Sequence, residues 1–131
     1  MLDLLRLDTG TEHVVVELTQ VEEVLPMVQL DHVGERRSKE RHERGFCGLL
    51  RYRGRVVPVH QLPGAVDVAG DVDAMIVVLR PAATSWLALM VQDVLEVLRV
   101  SHSARHRSHA GGVTVVDVGG ELLRLVEAGE L

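Results

Sequence analysis

Aromatic side chains are nearly absent from this sequence: one Phe, one Tyr and one Trp stand among 131 residues. Proteins that hold single-stranded nucleic acid stack bases on aromatic platforms, so that class of function has little to build on. Cysteine is as scarce. Cys47 is alone, which excludes an internal disulfide framework and fits a reducing compartment. No apolar run reaches the roughly 20 residues of a membrane-spanning helix. The opening MLDLLRLD is too short and too acidic for a signal peptide. The expected location is therefore the cytoplasm. Basic residues are outnumbered, 14 Lys and Arg against 19 Asp and Glu, for a net charge of −5. That balance weighs against a nucleic-acid partner unless a local basic patch provides one.

Catalytic constellations are missing too. Cys47 lies in an apolar stretch, where a thiol is usually an inert small hydrophobe. Ser85, Ser101, Ser103 and Ser108 have no nucleophile-elbow context. The pairs Gly111-Gly112 and Gly119-Gly120 lack the Lys-Ser/Thr that follows a phosphate-cradling loop. Glu22 and Glu23 are adjacent carboxylates, but neighbours on a helix diverge by about 100°, so they make no acid/base pair. The expectation is a protein without catalytic residues and without a cofactor.

What the sequence has is valine and leucine. Apolar residues are 47% of the chain and charged residues 25%, the balance of a globular protein. Valine's branched side chain favours sheet. The length suits one domain over residues 1–131. Leu2–Leu7 and His13–Leu18 read as strands around the turn cluster Asp8–Thr11. Thr19-Gln20-Val21-Glu22 has capping-box spacing, which predicts a short helix over Gln20–Leu25, closed by Pro26. Val21, Val24 and Leu25 would share one face of it. The central stretch GFCGLLRYRGRVVPVHQLPG reads as a hairpin, Phe46–Tyr52 against Val56, Val57 and Val59. Arg53-Gly54 supplies its turn. Pro58 cannot donate to a ladder and predicts an edge or a bulge there; an exposed edge invites a partner strand. Ala74–Arg80 is uninterrupted enough to be a strand covered on both faces. Trp86–Val91 alternates as a strand does, and Asp93–Val100 fits helix or strand equally. Val113–Val118 and Leu122–Val126 flank the two-residue turn Gly119-Gly120. Short strands punctuated by turns predict an all-β barrel or sandwich.

Three polar segments remain. Glu35–Arg44, ERRSKERHER, has no apolar residue and reads as a solvated linker or a docking patch for an acidic surface. Ala65–Asp73 reads as a small-residue acidic loop. Ser101–His109 is basic. His102, His106 and His109 would align on a helix, but Arg105 and Arg107 repel a cation and no carboxylate or cysteine completes the set. No metal site is expected.

Several stretches resemble the CheW-like adaptor family of bacterial chemosensory signalling. VVVELTQVEEV at Val14–Val24 resembles that family's entry strand and V-x-E-[IV] turn. GLLRYRGRVVPVHQL at Gly48–Leu62 resembles its G-x-x-N-L-R-G-x-x-V-P-V-x-D-L run. Met75–Leu79, Leu87–Val97 and Gly112–Val126 resemble its later strand pairs. The resemblance implies a fold of two small five-stranded SH3-like barrels packed side by side, with a short helix. It implies a non-catalytic scaffold that couples methyl-accepting chemoreceptors to a CheA-type histidine kinase. Carried over position by position, Val21, Glu23, Val24, Gly48 and Arg53 are the receptor-binding candidates. Glu23 and Arg53 are expected to pair across the groove between the barrels, and Gly48 to be a close-approach glycine. The chain departs from the pattern at Arg51, where the family has Asn, at Gln61 and Gln92, where it has Asp, and at Ala88, where it has Gly. The departures leave room for an adaptor that binds receptor but not kinase. A third reading, from another class, is a small barrel with a nucleic-acid or metal role on its two basic segments.

Overall fold

A computed structural model describes residues 1–27, 45–62, 73–82, 85–107 and 112–127. The segment 35–44, the loop 65–72 and His109 lie outside them. The described chain forms eleven strands: β1 (Leu2–Asp8), β2 (His13–Glu17), β3 (Val21–Pro26), β4 (Phe46–Tyr52), β5 (Arg55–His60), β6 (Met75–Leu79), β7 (Leu87–Val91), β8 (Asp93–Val100), β9 (Arg105–Arg107), β10 (Thr114–Val118) and β11 (Glu121–Leu125). They build two sheets. One has six strands in the order β8-β1-β2-β11-β10-β9, the other five in the order β3-β6-β7-β5-β4. The first sheet thus carries one strand more than the expected five, because Arg105–Arg107 of the basic segment adds to the edge of β10.

The chain enters the six-stranded sheet, crosses to the five-stranded one and returns. The outward crossing is a three-residue 3-10 turn, Leu18–Gln20. The return is Gln92 alone, between β7 and β8, with its amide donating to the Asp8 carbonyl at 2.9 Å. Such short crossings tie the two sheets closely.

Side-chain alternation divides the core in three. In β6, Ile76 and Val78 face a cluster inside the five-stranded sheet with Leu50, Tyr52, Val57 and Met90. Val77 and Leu79 face the opposite way, into a cluster with Leu5, Leu7, Val14 and Val16 of the other sheet. β7 divides likewise, Ala88 and Met90 to one side and Leu87, Leu89 and Val91 to the other. Leu4, Val15, Val116, Leu123 and Leu125 fill the six-stranded sheet. β6 and β7 are apolar at every position because both of their faces are covered.

The helix expected over Gln20–Leu25 is not formed. Val21–Pro26 is an extended strand paired with β6, Val24 opposite Val77 and Leu25 opposite Ile76. The 3-10 turn before it has no side-chain cap. A helix of six residues makes too few hydrogen bonds to offset nucleation, whereas the ladder to β6 satisfies the same backbone and suits the valines. Asp93–Val100 resolves as a strand for the same reason, through its ladder to β1.

The hairpin is formed with its turn at Arg53-Gly54, both at positive φ, 49° and 76°, as a two-residue hairpin turn requires. β5 is interior rather than an edge; β4 is the edge. Pro58 is tolerated because the ladder from β5 to β7 begins one residue later, at Val59 opposite Ala88. A register shift does occur nearby, in β4 between Phe46 and Gly48.

Candidate functional site

Arg53 sits at the tip of the hairpin after one edge strand of the five-stranded sheet. Glu22 and Glu23 sit on the other edge strand, β3. The sheet is curled enough for these edges to meet: Arg53 Nη2 is 3.7 Å from Glu23 Oε1, and Nη1 is 4.0 Å from Glu22 Oε1. The ladder of β3 is irregular between Val21 and Glu23, and such a bulge lets successive side chains reach one partner. Glu23 pairs opposite Val78, whose side chain faces the cluster inside this sheet. The pair therefore forms, but it spans the two edges of one sheet and not the gap between the sheets.

Arg53 is held from two directions. Its guanidinium lies 5.2 Å from the Tyr52 ring centroid, within cation–π range. The Tyr52 ring is buried. Its hydroxyl points toward the Glu23 carboxylate, and that interaction, followed by desolvation, raises the phenol above its usual pKa of 10.0. The hydroxyl itself is buried.

The charges continue beyond Arg53. Glu22 also meets Arg80 at 3.6 Å. Arg80 lies 5.7 Å from the Trp86 ring centroid, and Arg55 lies 4.2 Å from it on the same indole. Tyr52 and Trp86 are themselves in tilted contact at 6.2 Å. A ribbon of alternating charge and aromatic ring thus runs Glu23, Arg53, Glu22, Arg80, Trp86, Arg55. Arg53 and Arg80 are mostly exposed, at 66% and 60% of their side chains. Exposed pairs contribute little to stability, so the ribbon adds little to holding the fold together.

The other expected site residues are placed as follows. Val21 and Val24 lie half-buried on β3 and pack against the cluster between the two sheets. Gly48 lies in β4, the other edge strand, at its register shift opposite Val59. Gly45 also has a backbone pressed against it: a Cβ there would collide with the Gln61 carbonyl oxygen. Sequence reasoning did not select Glu22, Arg55, Arg80 or Trp86. The run Arg51-Tyr52-Arg53-Gly54-Arg55, with three arginines in five residues, was the available signal for one side of the ribbon.

His102 lies in a 3-10 turn and His106 in β9, so the helical alignment that would bring them together is not formed. Among the described residues no group of three or more His, Cys, Asp or Glu is placed to hold a metal ion. His60 is half-buried, edge-on to Phe46 with centroids 5.7 Å apart, and desolvation lowers its pKa below the usual 6.5.

The sequence matches the family description "CheW-like domain" over residues 3–124. The structure is similar to the crystal structure of the scaffolding protein TtCheW from Thermoanaerobacter tengcongensis, with a TM-score of 0.78 at 15% identity, over 97% of this chain and 84% of that one. No curated protein sequence matches it. With nearly its whole length covered by the family match, the chain belongs to the CheW-like domain family. The protein is a chemotaxis scaffold or adaptor of that family.

Proposed function

We propose that this protein is a non-catalytic cytoplasmic adaptor that holds the signalling tip of a methyl-accepting chemoreceptor where the β3 and β4 edges of the five-stranded sheet approach each other, and a CheA-type histidine kinase through its regulatory domain on a separate face. Val21, Glu23, Val24, Gly48 and Arg53 are the receptor-side residues of this reading. The observation that carries it is the contact of Glu23 with Arg53 at 3.7 Å. It places an exposed cation at a hairpin tip, beside a strand that offers half-buried valines. An apolar strip next to a steered charge gives a partner both contact area and register. Engaging two partners at once raises effective concentration, so each contact need only be modest.

The test is a paired binding measurement with the receptor's cytoplasmic tip and the kinase's regulatory domain from the same source. Binding to both, with Arg53→Glu weakening the receptor arm by about tenfold and sparing the kinase arm, is the expected result. Binding to the receptor alone identifies an adaptor that has lost the kinase contact. Binding to neither contradicts the proposal.

A further inference from the structure

Beyond the receptor reading, and on different strands, the five-stranded sheet carries an open cleft of about 780 Å³ beside the single tryptophan. Arg55, Val56, Val57 and Pro58 of β5 form one side, and Ala82, Ser85 and Trp86 form the other. Val56 is 64% exposed, high for a valine at the mouth of a cleft. Arg55 stacks on the Trp86 ring at 4.2 Å and Arg80 approaches it at 5.7 Å. Arg51, exposed, stands opposite Val56 in the β4–β5 ladder and so shares its face.

The charge of this surface is opposite to that of the protein. The chain is −5 overall, yet exposed Arg55 lines the cleft and exposed Arg80 approaches its indole, with Glu22 answering Arg80 at 3.6 Å. Among the described residues no carboxylate pairs with Arg55, whose guanidinium is spread on an indole instead. Tryptophan and arginine beside an apolar hollow are the residue types that dominate binding energy at protein interfaces. An acidic protein that sets an arginine with no carboxylate partner on the indole of such a cleft favours a partner of the opposite sign there.

We infer that this cleft is a second docking surface, for an acidic segment of a partner protein that carries a bulky apolar residue. The apolar side chain sits against Trp86 and Val56, and flanking carboxylates meet Arg55 and Arg80. The inference does not depend on how β3 engages its partner.

Because Trp86 is the only tryptophan, its fluorescence reports on its own surroundings, and the Arg55 and Val56 variants below assign the change to this cleft. The full chain is titrated with a synthetic peptide of leucines flanked by glutamates, and with the same peptide in glutamine form. A saturable change in emission with the glutamate peptide, about tenfold weaker with the glutamine peptide and in about 0.5 M salt, is the expected result. Arg55→Gln and Val56→Asp, each with an unchanged circular dichroism spectrum, weaken it similarly; the second variant guards against misfolding of the first. Equal response to the two peptides, unchanged affinity in both folded variants, or no saturable change up to about 1 mM peptide overturns the inference. So does an emission change on diluting the protein alone that tracks its sedimentation, because a second copy of the chain would then be the occupant.

Discussion

Arg53 reaches both Glu22 and Glu23 from the far edge of the same sheet, at 4.0 and 3.7 Å. A hairpin tip is thereby tied to the opposite edge strand. With Arg53 66% exposed, the tie is worth under about 1 kcal/mol to folding. Arg53→Glu is therefore expected to leave the denaturation midpoint nearly unchanged while weakening receptor-tip binding. Glu23→Arg alone should weaken binding as well, and the double exchange should recover part of the loss. A double exchange no better than either single would mean that the charges act separately.

Two glycines at positive φ separate conformational strain from steric exclusion. Gly54, at +76°, has nothing near the position of an added Cβ. Gly54→Ala should cost about 1 kcal/mol, the strain of a left-handed residue. Gly45, at +87°, faces the Gln61 carbonyl, and its own carbonyl accepts the Gln61 amide at 2.6 Å. Gly45→Ala must break that approach as well and should cost about 2 kcal/mol or more. Urea denaturation of the two variants gives the comparison, and equal costs would contradict the close approach.

The shared cluster bears on whether the two sheets fold as one unit. Leu89 is fully buried in it, with Leu5, Val14 and Val16 from the other sheet. Leu89→Ala should cost about 3 kcal/mol. If residues 1–131 are a single domain, thermal unfolding should stay one transition at a lower midpoint. Two separated transitions would show that each sheet stands on its own core.

His60 makes stability depend on pH. Its folded pKa is below 6.5 because burial disfavours the cation. As pH falls through 6.5 the unfolded chain takes up the proton first, so stability rises with pH across that window and is lost on acidification. His60→Gln should flatten this slope between about pH 7 and 5. An unchanged slope in denaturation curves across that range would assign the dependence to other groups.

Much of this fold is written locally. Arg53-Gly54 announces its turn because a two-residue hairpin needs positive φ, and Ala74–Arg80 announces a strand covered on both faces because no polar residue interrupts it. The strand at Val21–Pro26 was obscured by Thr19 and Glu22, whose spacing imitates a cap. The ladder to β6 that decides the matter is formed with residues about fifty positions away. The candidate site is split in the same way. Glu23 and Arg53 were legible through family resemblance, whereas Trp86, Arg55, Arg80 and Glu22 come from different elements, and only the curl of the sheet brings them together.

The most direct test of the account is assembly. Receptor tips and histidine kinase, at concentrations where they do not associate by themselves, are mixed with and without this protein and analysed by sedimentation. The adaptor reading predicts one complex containing all three, formed only when the protein is present and lost with Arg53→Glu. A kinase that stays unassociated whether or not the protein is added would contradict it.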